Sequence, residues 1–184
     1  MTKTKKLTTS AVLIALSTVL VFASKLIPAP WLQGGSVTLA SMVPIILISF
    51  INGTKWGILS GFVFSLIQMM TGFYPPPTQN FISFVLVIFL DYIFAFTVLG
   101  CADIFKKLTK NKPWSECVSG VVVTSFRYFF HILSGILIWG VYAEEGQTVL
   151  SYSVIYNGSY MIPEIIITGV VIALITPVIK NLKL

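Results

Sequence analysis

Polar surface is what this sequence has least of. Charged residues make up 10% of its 184 residues, and only 6 are acidic. A soluble globule carries about 25% charged residues, so this chain cannot build a water-facing exterior. With one histidine and scattered carboxylates, a metal site of several convergent ligands is poorly supported. Cys101 and Cys117 lack metal-ligand spacing and fall near the basic ends of their segments, which reads as free structural thiols. There is no phosphate loop, because Asn52-Gly53-Thr54-Lys55 has neither the glycine spacing nor a hydroxyl after the lysine. No nucleophile elbow occurs either, so a hydrolase would rest on Ser134 and His131 alone, three apart on one helix. No soluble linker, low-complexity tract or internal repeat divides the chain, and residues 1–184 read as a single domain.

What is present in excess is hydrocarbon. Hydrophobic residues reach 56% and the mean hydropathy is +0.93, which makes this an integral membrane protein. Apolar segments at 7–24, 37–52, 56–73, 80–102, 115–141 and 158–179 approach the length needed to cross roughly 30 Å of lipid, although 37–52 is short and reads equally as ending inside a cavity. The basic start before 7–24 resembles a signal peptide only superficially, because no small-residue cleavage site follows. The expectation is an all-α membrane protein, a bundle of six transmembrane helices with both termini cytoplasmic. Lys3, Lys5, Lys6, Lys55, Lys106, Lys107, Lys110, Lys112, Lys180 and Lys183 then share the inner side, and Lys25 alone falls outside, as the positive-inside rule requires. The net charge of +6 is therefore a topology signal and implies no nucleic-acid partner.

Ionisable residues within the apolar runs are the candidates for function, since charge at that depth is costly and faces the protein interior or a water-filled cavity. Arg127, His131, Gly135 and Trp139 step by four and share one broad helix face. Asp91 lies mid-segment beside Tyr92; it either pairs with Arg127 or receives a cation or amino group from a ligand. Glu164, after Pro163, reads as a packing or hydrogen-bonding residue. Prolines, aromatics and acids gather in the outer loops, around Trp31, around Tyr74, and from Tyr142 to Asn157. Trp31 and Tyr74 suit an interfacial aromatic belt as well as a pocket. A delocalised cationic ring gains from aromatic faces while a carboxylate supplies direction, a pairing open to Asp91, Tyr92, His131, Trp139, Tyr152 and Asn157. In a chain with 14% aromatics, such stripes also arise by chance.

Four strings carry a more specific signal. Gly34-Gly35-Ser36-Val37-Thr38-Leu39-Ala40-Ser41-Met42-Val43-Pro44, Asp91-Tyr92 with Ala95-Phe96, His131-Ile132-Leu133-Ser134-Gly135 with Trp139, and Tyr152-Ser153 through Asn157-Gly158-Ser159-Tyr160-Met161-Ile162-Pro163-Glu164 resemble the thiamine-specific substrate-binding S component of energy-coupling factor transporters. The resemblance runs from about residue 7 to the carboxyl end. It implies a six-helix monomer that binds thiamine at the outer side of a bacterial plasma membrane and joins a transmembrane coupling protein and two cytoplasmic ATPase subunits. It further implies that Asp91, a shorter acid than the Glu of some members, meets the aminopyrimidine with Tyr92 beside it. His131 and Trp139 would contact the rings, and Tyr152 and Asn157 would close the site from the last outer loop. Trp31 is a looser match, and Arg127 matches a basic position. Ala11 and Ala15 form a small-residue surface of the kind the family uses to dock its coupling protein, whereas Gly57 and Gly61, similarly spaced, are expected to pack internally. No cofactor and no enzymatic activity are implied. The same fold tuned to riboflavin or hydroxymethylpyrimidine is the nearest alternative, and an intramembrane enzyme using His131 and Ser134 a remoter one.

Overall fold

Within lipid a backbone must satisfy its own hydrogen bonds, and a chain this apolar does so with helices. The computed structural model describes residues 2–26, 30 and 34–181. Among them there is no strand, and the helices are α1 (Lys3–Ser24), α2 (Val43–Asn52), α3 (Thr54–Gly72), α4 (Phe81–Leu108), α5 (Ser115–Tyr142) and α6 (Val149–Asn181). Helices α1, α4, α5 and α6 are each long and apolar enough to cross a membrane. α3, with 19 residues, has comparable length but carries Lys55, Ser60, Ser65 and Gln68 along it.

The packing is that of a protein dissolved in lipid. Val12, Val19, Leu66, Phe129, Leu137, Ile155, Ile166 and Leu174 point outward, while Ser17, Ser49, Ser65, Ser119, Thr124, Ser153 and Thr168 are buried. Apolar groups gain nothing by turning inward when the solvent is itself hydrocarbon, so helix contacts rely on small and polar residues. Gly57 shows this best. A Cβ placed there would lie 2.6 Å from the Gly100 carbonyl oxygen, and one on Gly61 would lie 2.7 Å from that of Phe96. Both glycines bring α3 against α4, as expected from their spacing. Ser49 Oγ donates to the Gly100 carbonyl at 2.6 Å and accepts from the Asp103 amide at 3.0 Å, which satisfies backbone groups where α4 tightens into a 3₁₀ turn.

Two segments differ from the sequence reading. The apolar run 37–52 is helical only from Val43, and the resulting 10 residues span about 15 Å at 1.5 Å each, half a bilayer. Thr38, held by the Glu164 carboxylate, and Ala40, at φ 57°, keep the preceding chain out of the helix. α2 is instead a buried plug: Ile45, Ile46 and Ile48 are completely enclosed, with α1, α3 and α4 around it. The second difference is at the other end of the chain. The last helix begins at Val149 rather than residue 158 and runs for 33 residues, so Tyr152 and Asn157 lie on a helix and not in the last outer loop. Between 149 and 157 the apolar Leu150 and Ile155 face outward, while Tyr152, Ser153 and Asn157 turn inward. Polar residues on the buried side of a membrane helix lower its hydropathy without ending it.

At the basic end of the bundle, Lys106 pairs with Glu116 at 3.2 Å and Lys107 with Asp103 at 2.6 Å. Cys101 and Cys117 are free thiols, in keeping with the reading of the sequence.

Candidate functional site

Asp91 organises the polar interior at the opposite end. It sits in a π-helical stretch of α4, Ile88–Phe94, and Trp139 ends a second one in α5, Gly135–Trp139. Such turns pair residues five apart and occur often at functional sites. In α5 the wider turn stacks Trp139 over Ser134, so that Trp139 Nε1 lies 3.1 Å from Ser134 Oγ and 3.2 Å from Asp91 Oδ2. Ser134 Oγ donates to the same Oδ2 at 2.5 Å, and His131 Nδ1 lies 2.9 Å from Oδ1. Asp91 thus accepts from three side chains of one neighbouring helix. The wider turn also moves Gly135 off the expected stripe: a Cβ there would meet Ser153 Oγ at 2.0 Å, so Gly135 faces α6 while Arg127, His131 and Trp139 face the cavity.

The anticipated alternative for Asp91, an ion pair with Arg127, is not formed. Among the described residues no carboxylate lies within ion-pair distance of Arg127. Its guanidinium sits 4.4 Å above the Phe96 ring and donates to Met42 Sδ at 3.0 Å, while its buried Nε has no partner among the described residues. The hydrolase alternative also loses support, because Ser134 gives its proton to Asp91 and not to His131, and a serine nucleophile needs a base in reach of its own hydroxyl. With His131 Nδ1 turned toward Asp91, Nε2 on the other side of the ring is buried and without a partner among the described residues.

Asp91, Arg127, His131 and Trp139 line a cavity of about 160 Å³ that also holds Tyr74, Tyr92, Tyr152 and Asn157 at its wall. Every described residue expected at the site is therefore brought to one place; Trp31 lies outside the described residues. Two clusters of aromatic rings border the cavity. In one, Trp139 has Tyr74 at 5.5 Å and Tyr142 stacked at 6.3 Å. In the other, Tyr152 stacks on Tyr156 at 5.5 Å and Tyr156 meets Tyr160 edge-on at 6.3 Å. Tyr92 lines the cavity and braces it as well: its hydroxyl donates to the Gly72 carbonyl at 3.0 Å and accepts from the Tyr74 amide at 2.9 Å, which fixes the carboxyl end of α3. Asn157 is a brace as well, donating to the His131 carbonyl at 3.2 Å and accepting from the Tyr160 hydroxyl. Tyr152 is different. Its hydroxyl is buried without a partner among the described residues, as is Gln68 Nε2 across the cavity wall. Groups of this kind cost free energy unless something polar fills the cavity.

The sequence reading does not single out Tyr156, Tyr160 or Gln68. The first two were legible as a Tyr-x-x-x-Tyr-x-x-x-Tyr spacing from Tyr152, once 149–157 is taken as helix. Gly34 and Gly35 close the cavity from the chain that precedes α2, both in the left-handed region at φ 87° and 96°. The Tyr156 hydroxyl donates to the Gly34 carbonyl at 2.7 Å, and a Cβ on Gly35 would lie 2.5 Å from Tyr160 Cε1. Gly35→Ala therefore meets both a backbone penalty of about 1–2 kcal/mol and a ring that must move. It should lower the thermal midpoint in detergent and weaken ligand binding about tenfold; a variant unchanged in both would show that this strand of chain does not shape the cavity.

Ala11 and Ala15, remote from the cavity, are exposed on α1 beside Val12 and Leu16. Glu164 is fully buried, with one oxygen accepting from the Thr38 amide and hydroxyl, the hydrogen-bonding role expected of it.

The sequence model of the family described as thiamine transporter protein matches residues 7–184. The thiamine transporter ThiT of Bacillus subtilis is 37% identical over 154 residues, covering 78% of this chain and 76% of its own length. That of Lacticaseibacillus paracasei is 27% identical over 155 residues, with 77% and 73% covered. Among solved structures, ThiT from Listeria monocytogenes superposes with a TM-score of 0.74 over 98% of this chain and 97% of its own, at 22% identity, a likeness of fold.

Proposed function

We propose, from the premise that this chain belongs to the thiamine transporter protein family, that it captures thiamine in the Asp91 cavity from the outer side of the membrane. The chain is a multi-pass transport protein of a bacterial plasma membrane and not an enzyme. The observation that carries the thiamine reading is the half-buried Asp91, held by His131, Ser134 and Trp139 at the wall of a cavity lined with aromatic rings. Thiamine has a permanently cationic thiazolium, an aminopyrimidine and a hydroxyethyl tail. The cationic ring gains about 0.5–2 kcal/mol from each desolvated aromatic face, which Trp139 and the tyrosines offer. The aminopyrimidine is a donor and acceptor suited to Asp91 and to the unpartnered groups of His131, Tyr152 and Gln68. With both termini on the cytoplasmic side, as the lysine distribution favours, α1, α3, α4, α5 and α6 cross the membrane and the short α2 completes the remaining passage together with the non-helical chain before it. Delivery then requires a transmembrane coupling protein and two cytoplasmic ATPase subunits, with Ala11 and Ala15 as the docking surface.

Titration of the detergent-purified protein by calorimetry, with thiamine, hydroxymethylpyrimidine and riboflavin in parallel, tests the assignment; tightest binding of either alternative would reassign the substrate. Fluorescence tests the placement. Of the 4 tryptophans, Trp139 alone borders the cavity among the described residues, and Trp56 and Trp114 lie toward the basic end. Thiamine should quench the emission, Trp139→Phe should remove most of that change, and Trp56→Phe or Trp114→Phe should leave it. Quenching that survives in the Trp139 variant and disappears with Trp114 would put the ligand at the wrong end of the bundle.

A further inference from the structure

At the basic end, an open apolar groove runs between the start of α5 and the last turns of α6, lined by Pro113, Trp114, Cys117, Ala173, Thr176 and Pro177. Pro177 has no amide hydrogen to give the Ala173 carbonyl, and Ala173 has too little side chain to fill the gap. The turn at 109–113 that leads into the groove-lining start of α5 carries lysines. Lys106 and Lys107 are neutralised by Glu116 and Asp103, but among the described residues Lys110 and Lys112 make no ion pair. Lys112 Nζ lies 5.4 Å from the centre of the Trp114 ring, so one cation stands at the rim of the apolar wall. An occupant must therefore offer a hydrocarbon tail to the groove and an anion to the lysines.

We propose that this groove binds an anionic phospholipid, one acyl chain lying between α5 and α6 against Trp114, Cys117 and Ala173, and the headgroup phosphate meeting Lys110 and Lys112. The geometry makes both halves necessary. A zwitterionic lipid brings the same chain but cancels the attraction with its own cation, and a soluble phosphate brings the anion with nothing for the groove. Each lysine close to an anionic headgroup favours it about fivefold, so the pair favours phosphatidylglycerol over phosphatidylcholine about twenty-five-fold. The proposal is independent of the thiamine reading, because lipid retention is measured without ligand.

The test is native mass spectrometry of the full chain released from mixed micelles containing phosphatidylglycerol and phosphatidylcholine with identical chains at equal mole fraction. Wild type should retain phosphatidylglycerol in large preference. Lys110→Gln with Lys112→Gln should bring the ratio close to one, and Ala173→Trp, which fills the groove from an exposed position, should reduce retention of both lipids. Circular dichroism confirms that each variant keeps the parent helicity, and the wild-type ratio stands without either. Millimolar glycerol 3-phosphate should displace nothing. Equal retention of the two lipids by wild type, an unchanged preference in the lysine variant, unchanged retention in Ala173→Trp, or displacement by glycerol phosphate would each overturn the proposal.

Discussion

Asp91→Asn is expected to weaken thiamine binding about a hundredfold. The carboxylate accepts from His131, Ser134 and Trp139, and an amide in its place must turn an NH₂ toward at least one of these donors. Loss of one charge-assisted hydrogen bond in a buried site costs about 1.5–3 kcal/mol. Here the loss of negative charge beside the cationic ligand adds to it, and the displaced His131 and Trp139 rings no longer form the wall on which that ligand stacks. Asp91→Glu keeps the charge with one more methylene and should retain most of the affinity. Calorimetry on both variants decides the matter, with the thermal midpoint measured alongside. If Asp91→Asn lowers the midpoint yet binds thiamine as the parent does, the carboxylate serves the helix pair and not the ligand.

The second large effect separates capture from energy coupling. Replacing Ala11 and Ala15 together by Trp should abolish uptake while leaving thiamine binding by the isolated subunit within about twofold of the parent. Both alanines are exposed on α1 and neither lines the cavity, so no ligand contact changes. Two indoles would hold the helix several ångströms from a docking partner, where dispersion contacts fall steeply. The paired measurements are calorimetry on the variant and radiolabelled thiamine uptake into vesicles carrying the coupling protein, both ATPases and ATP. Unimpaired uptake by a correctly inserted variant would rule out this face of α1, and accumulation without ATP would count against the whole coupling assignment.

The membrane class was legible in the sequence because it depends on a sum. Hydropathy over about 20 residues needs no knowledge of which helix neighbours which. The candidate residues Asp91, Arg127 and His131 were legible for a related reason: an ionisable group in a hydrocarbon run is costly wherever the run lies, so its presence alone marks the interior. Where one helix face decides the outcome, the sum misleads. The stretch from Val149 to Asn157 has a polar inner face and an apolar outer one, and averaging the two hides a helix that carries Tyr152, Tyr156 and Tyr160 to the cavity.

Partners were decided only by the tertiary structure. Asp91 is as far in sequence from Arg127 as from many candidates, and spacing along a chain is silent about which of two basic side chains a carboxylate meets across helices. The choice of His131 follows from the π-turns in α4 and α5, which bring Ser134 and Trp139 onto one carboxylate and leave Arg127 over Phe96. The apolar run that ends as the buried α2 has the same origin. Its hydropathy says only that it avoids water, and both lipid and the centre of a bundle satisfy that; the enclosing helices, together with Glu164 holding Thr38, select the centre.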